Sequence, residues 1–145
     1  MRWIRAELAL VLLLSACAAR HAGMRPLAVT PAAADQLTEL ATAALLADGR
    51  LESADTLYTT GTEILADGRR RFGVPRFAGV EGGGEVVVGS IRVDLTGAVG
   101  WASVEYRWLA HDQNLIREGR ATFVFTRADS DGRWRVAHAH SSTSR

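Results

Sequence analysis

Between Glu85 and Ser142 the chain repeats one pattern four times: a long run rich in β-branched and aromatic residues, then a short polar turn. The runs are Glu85 to Leu95, Ala98 to Ala110, Ile116 to Arg127 and Arg133 to Ser142. Thr96-Gly97, His111 to Asn114 and Asp129 to Gly132 separate them. Such composition favours strands, and loops this short join neighbours antiparallel. Runs of ten residues or more exceed the usual strand of about five or six, so the sheet has to twist and curve. Gly89, Gly100 and Gly119 are the expected bends or bulges.

Alternation within each run assigns its faces. Val87, Ile91, Val93 and Leu95 oppose Ser90, Arg92 and Asp94, and Ala102, Val104, Tyr106 and Trp108 oppose Ser103, Glu105 and Arg107. Phe123 and Phe125 oppose Arg120, Thr122 and Thr126. In the last run Trp134, Val136, His138 and His140 oppose Arg135, Ala137 and Ala139. One face is apolar and requires a cover; the other is mixed.

The cover comes from upstream. Ala34 to Ala47 places Leu37, Leu40, Ala41, Ala44 and Leu45 on one stripe at helical spacing, and Asp48-Gly49 closes it. A shorter helix is expected from Leu51 to Tyr58, with Ala54, Leu57 and Tyr58 inward and Gly61 as its stop. Thr62 to Ala66 and Arg69 to Val74 read as a hairpin around Asp67-Gly68, whose residues accept the positive φ of a two-residue turn. Gly79 to Gly84 is loop, because three consecutive glycines cost too much backbone entropy inside an element. No GK[ST] follows it, so it is no phosphate-binding loop. Helices first and strands afterwards define an α+β class.

The first seventeen residues, MRWIRAELALVLLLSAC, carry Arg2 and Arg5, a short apolar run and a small-residue zone, which reads as an export signal. Leu14-Ser15-Ala16-Cys17 resembles the bacterial lipobox, whose cysteine becomes the acylated first residue. The resemblance implies a lipid anchor at Cys17 and a place in the bacterial cell envelope, on the outer membrane facing the periplasm. Cys17 is the chain's only cysteine, so no internal disulfide can form. Residues 18–33, rich in Ala with Pro26 and Pro31, read as a tether, and residues 34–143 suffice for one domain. All 17 basic residues are arginine. Removing Arg2, Arg5 and Glu7 leaves fifteen arginines facing fifteen carboxylates, so no net field gathers nucleic acid. Arg69-Arg70-Arg71 is the single basic cluster and reads as a solvated hairpin edge.

The ending GRWRVAHAHSS resembles the last strand of SnoaL-like domains in the nuclear transport factor 2-like superfamily. Asp131, Gly132, Trp134, Val136, His138, His140 and Ser142 carry the match, with Gly119 and Thr122 matching the penultimate strand. The resemblance covers roughly residues 34 to 143. It implies a cone, the cystatin-like α+β roll: a curved antiparallel sheet wrapped around N-terminal helices, with a cavity between helices and concave face suited to a small apolar ligand. The superfamily holds isomerases, cyclases, dehydratases, ligand binders and modules that only dimerise, so fold alone selects no activity.

Two readings of the paired histidines stay open. On one strand face their imidazoles stand about 7 Å apart, within reach of one substrate, and imidazole serves as a general base near neutral pH. Alternatively they fill the sheet and bond to backbone or Ser142. A metal is not expected, since His21 and His111 fall in tether and turn and leave two ligands; no motif calls for a cofactor. Ketosteroid isomerase-type members use an Asp base and an oxyanion hole, often with an acid just before the first strand, where this chain has Thr59-Thr60-Gly61. Asp55 and Tyr58 could substitute, and Glu105 with Arg120 is explained by a cross-strand ion pair. Ligand-contact candidates are Tyr58, Glu105, Tyr106, Trp108, Arg120 and Thr122. The expectation is a non-catalytic, envelope-anchored domain that binds a small apolar molecule, or forms a homodimer through its open sheet face. Its rivals are an isomerase, cyclase or dehydratase with His138 or His140 as base and Arg120 or Tyr106 steadying negative charge, and an interaction module of an envelope complex.

Overall fold

Proline fixes φ near the helical value and lacks only a donor that the first turn leaves unused. The long helix α1 accordingly opens at Pro31, three residues before the expected start at Ala34, and runs Pro31–Gly49. The computed structural model describes residues 30–111, 114–128 and 131–144; the signal segment, Cys17, His21 and most of the tether lie outside them. A single 3₁₀ turn, Asp55–Leu57, follows, then β1 (Tyr58–Ala66), β2 (Arg69–Arg71), β3 (Gly84–Thr96), β4 (Val99–Ala110), β5 (Ile116–Arg127) and β6 (Trp134–Thr143).

The six strands form one sheet in the order β2-β1-β6-β5-β4-β3. The pairs β1–β2, β3–β4, β4–β5 and β5–β6 are antiparallel. The β1–β6 pair is parallel, so the expected antiparallel sheet is mixed. α1 lies on one face, packed against β3, β4 and β6, with Leu37, Ala41, Ala44 and Leu45 buried as the stripe requires. Gly100 is a point of close approach rather than a bend: a Cβ there would stand 2.3 Å from the Leu37 side chain.

The second helix does not form. Leu51 (φ 59) and Ala54 (φ 46) both take left-handed backbone, which a right-handed helix excludes, and only three residues coil. Tyr58 already pairs with Val136, and β-branched Thr59 and Thr60 continue the strand. Gly61 (φ 79) sits inside β1, where the pairing with β6 shifts register. β2 ends at Arg71, short of the expected Val74.

Two bulges reverse the alternation read from the sequence. In β3 the register shifts between Val88 and Ile91, so Gly89 is a bulge as expected. Val86 is buried before it, while Ile91, Val93 and Leu95 face inward after it. Val87 therefore points to the open side and is 37% exposed. In β6 the shift falls opposite Val124 and Phe125, leaving Ala137 without a partner. Beyond it Ala139 and Ser141 are buried, and His138 and His140 turn to the open face. A residue inserted into one strand of a pair has this effect, because slipping by one residue moves every later side chain across the sheet.

Leu37, Leu45, Phe77, Val104, Phe123, Phe125 and Val136 are the centre of the core. Phe123 lies 5.3 Å from Phe77 and 5.8 Å from Phe125, centroid to centroid. Phe77 comes from neither helix nor sheet; it belongs to the segment between β2 and β3.

Candidate functional site

That connecting segment decides what the concave face can do. Residues 72–83 carry backbone N–H and C=O groups that must be satisfied wherever they are buried. Asp48, at the end of α1, receives Arg76 N–H on Oδ1 (2.6 Å) and Phe77 N–H on Oδ2 (2.9 Å). Ser141 Oγ accepts from Ala78 N–H at 2.9 Å and donates to the Leu65 carbonyl at 3.4 Å. Tyr106 donates its hydroxyl to the Ala78 carbonyl at 2.6 Å. Trp108 donates from Nε1 to the Glu81 carbonyl at 2.9 Å, and the Arg117 guanidinium lies 5.2 Å over its ring while pairing with Glu81 at 2.6 Å.

Tied to α1, β4 and β6, the segment sets Phe77, Ala78 and Val80 into the hollow, where all three are buried. The space that the cone was expected to keep open for a ligand is filled by these side chains together with Phe123, Phe125 and Trp108. Gly119 shows how closely: a Cβ there would stand 2.3 Å from Tyr106 Cζ. Its place in β5 is continuous in register, so it is a notch for the Tyr106 ring, not a bulge.

Burial displaces the groups inside. The Asp48 carboxyl is held above the usual carboxylate range by desolvation, which outweighs its two amide donors and the nearby Arg76 and Arg71. Tyr106 is raised by burial against the opposing hydrogen bond with Ser141. Tyr58 is pushed up to about 12, again by desolvation, against the lowering effect of Arg76. Arg76 stacks over the Tyr58 ring at 4.7 Å and pairs with Asp55 at 2.8 Å.

The open face gathers the other candidates. Glu105 and Arg120 are cross-strand partners joined by an ion pair of 3.1 Å, both exposed, and Ser90 donates to Glu105 at 3.0 Å. His138 Nδ1 lies 4.0 Å from Glu63 Oε2, and Glu63 also pairs with Arg70. Thr122 stands directly opposite both Ser103 and His140. Trp101, 45% exposed, is paired with Val124, which pairs with His138. A shallow cleft of about 280 Å³ crosses this face beside Val87, Glu105, Arg107, Glu118 and Arg120.

The ligand-contact candidates thus divide. Tyr106 and Trp108 are core residues that tie down the connecting segment; Glu105, Arg120 and Thr122 lie on the far side of the sheet with both histidines. Tyr58 sits apart at the rim. The residues that sequence reasoning missed are Asp48, Arg76, Phe77 and Ser141. Asp48 read as a helix stop, and the burial of Ser141 follows only once the bulge at Ala137 is known. Among the described residues no cluster of three potential metal ligands occurs, and no helix is long and apolar enough to cross a membrane.

One helix lying on a six-stranded mixed sheet, its hollow filled by a tethered crossover, defines the class: an α+β roll of the nuclear transport factor 2-like kind. The chain belongs to the SnoaL-like domain family, whose model matches residues 35–144. No curated protein matches it. Among solved structures it is similar to a nuclear transport factor 2-like protein of unknown function from Pseudomonas putida, at 18% identity and TM-score 0.62, covering 78% of this chain and 87% of that one. A ketosteroid isomerase-like protein from Erwinia carotovora has 12% identity and TM-score 0.59, with 80% and 99% covered. A protein with a cystatin-like fold from Caulobacter vibrioides has 13% identity and TM-score 0.55, with 77% and 89% covered. Likeness at these identities establishes the fold.

Proposed function

We propose that this SnoaL-like domain is a non-catalytic envelope module that pairs with a second copy through the open face of its sheet, with a lipid on Cys17 as its membrane anchor. One observation carries the reading: the hollow is packed with side chains, and its polar groups are engaged in holding the segment that packs it. Chemistry in a hollow needs a reacting atom within about 3 Å of a positioned acid or base, and here core atoms occupy that space.

The open face instead offers Trp101, Val124, Leu65 and Val87 beside Ser103 and Thr122 and a border of charges that are largely paired, Glu105 with Arg120 and Glu63 with Arg70, a composition suited to a two-fold contact. Light scattering on the full chain at micromolar concentration tests it. A mass of two chains is expected, falling to one in Thr122→Arg, which sets like charges against each other across the axis. A single-chain mass for the parent protein overturns pairing and leaves the face to a different envelope protein. The anchor is tested by fatty-acid labelling in cells, where Cys17→Ala is expected to lose all label; label retained in that variant refutes it.

A further inference from the structure

At the rim where β1 begins, the fold leaves a cleft of about 350 Å³ unfilled, bordered by Tyr58, Thr60, Ile64, Arg71, Phe72 and Arg76. Two side chains there serve no evident purpose in the fold. Phe72 is 87% exposed, the most exposed large apolar side chain among the described residues; an aromatic ring left in water forgoes the burial that normally stabilises it. Arg71 is exposed and, among the described residues, has no ion-pair partner, whereas neighbouring Arg70 pairs with Glu63 and Arg76 pairs with Asp55. Arg71 is the cross-strand partner of buried Ile64, which turns its guanidinium to the helix side of the sheet, toward this cleft.

The other polar groups bear on what fits. Thr59 and Thr62 share a hydroxyl hydrogen bond of 2.9 Å, and Thr62 also donates to the Val136 carbonyl at 2.8 Å, so both are spent on the strand. Thr60 is exposed at the rim. Tyr58 keeps its proton far into the alkaline range and remains a donor. Of the carboxylates, Asp55 itself lines the cleft and is neutralised by its pair with Arg76, while Asp48 is buried with both oxygens on backbone N–H groups. The cleft therefore presents donors and one unpaired cation, beside a bare aromatic wall.

We propose that this rim cleft is a binding site for a small anion carrying a flat apolar body, its carboxylate or phosphate oxygens on Arg71 and its body against Phe72. A guanidinium presents two parallel donors that match either oxyanion, and the exposed ring covers the apolar part. The site lies on the helix side of β1, outside the filled hollow and across the sheet from the face assigned to pairing, so the two proposals stand or fall separately.

The test is a titration of the full chain with benzoate, phenyl phosphate and benzyl alcohol, followed by backbone amide chemical shifts. Saturating shifts at Tyr58, Thr60 and Gly73 are expected with one or both anions, and the stronger of the two identifies the head group. Benzyl alcohol is expected to bind at least tenfold more weakly. Arg71→Gln should weaken the anions about tenfold, the loss of one charge-assisted contact, and Phe72→Ser should weaken them severalfold. Both positions are exposed, so unchanged thermal midpoints confirm folded variants. Absence of saturation by about 10 mM, where even millimolar binding would show, overturns the proposal, as does undiminished binding in Arg71→Gln or equal binding of benzyl alcohol. Light scattering on the same samples keeps a failure of pairing distinct from a failure of this site.

Discussion

Adding one methyl group at Gly119 tests whether the hollow is truly full. An alanine Cβ would lie 2.3 Å from Tyr106 Cζ and 2.6 Å from its hydroxyl oxygen, well inside contact distance. The ring cannot yield freely, because its hydroxyl is held by the Ala78 carbonyl at 2.6 Å. Overpacking of this kind costs about 1 to 3 kcal/mol, and losing the buried hydrogen bond adds about 1 kcal/mol. The lower chain entropy of alanine returns about 0.4 to 1 kcal/mol. Backbone strain does not enter, since Gly119 has no left-handed φ. The net loss is about 1 to 3.5 kcal/mol, which at about 4 °C per kcal/mol for a domain of this size lowers the midpoint by roughly 4 to 14 °C. Thermal unfolding followed by circular dichroism measures it. In a Tyr106→Leu background, which removes the ring atoms that clash, the further cost of Gly119→Ala should fall below about 0.5 kcal/mol. A midpoint within about 2 °C of the parent, or an equal cost in both backgrounds, refutes the packing described for the hollow.

Asp48→Ala leaves the Arg76 and Phe77 amides without acceptors and should cost about 2 to 4 kcal/mol, with Asp48→Asn intermediate, both read by urea unfolding. Tyr58 should titrate at about 12 by ultraviolet absorbance; because the unfolded phenol ionises near 10, its contribution to stability is complete below pH 10 and is lost as pH rises toward 12. Asp131, held near 2 by Arg135 and the Arg133 amide, should move toward the ordinary carboxylate value in Arg135→Ala, as carboxyl shifts in an acid titration would show. Arg120→Ala should change stability by less than about 1 kcal/mol, since the pair it breaks is exposed.

Strand identity was legible because alternation is local: Ala102, Val104, Tyr106 and Trp108, with Phe123 and Phe125, face inward as their spacing says. Alternation is blind to an inserted residue, which is visible only against the neighbouring strand. Gly89 hinted at one bulge, yet Ala137 looks like any strand alanine, and the histidines changed sides with it. The parallel bond between β1 and β6 joins Tyr58 to Val136, a separation no window of local pattern spans. The helix expected at Leu51 failed for a different reason. Its apolar spacing is real, with Leu57 and Tyr58 against the core, but the chain must turn sharply after Gly49 to bring Tyr58 alongside β6, and left-handed Leu51 and Ala54 make that turn. The motif at the C-terminus identified the family more securely than it located a site, and the plug from residues 72–83 carried no signal of its own.

The parallel pairing also orders assembly in time. β1 emerges early in synthesis, yet apart from the three-residue β2 its strand partner is the last to be made. Until residue 143 is available, Ile64 and Ala66 have no neighbouring β6, and Ser141 is not there to hold Ala78. A nascent chain that has not yet reached β6 would hold β5, β4 and β3 as a meander with an uncovered border, the kind of unpaired edge that invites aggregation. The sixth strand thus acts as the keystone of the domain, and the sheet is completed only once β6 has been synthesised.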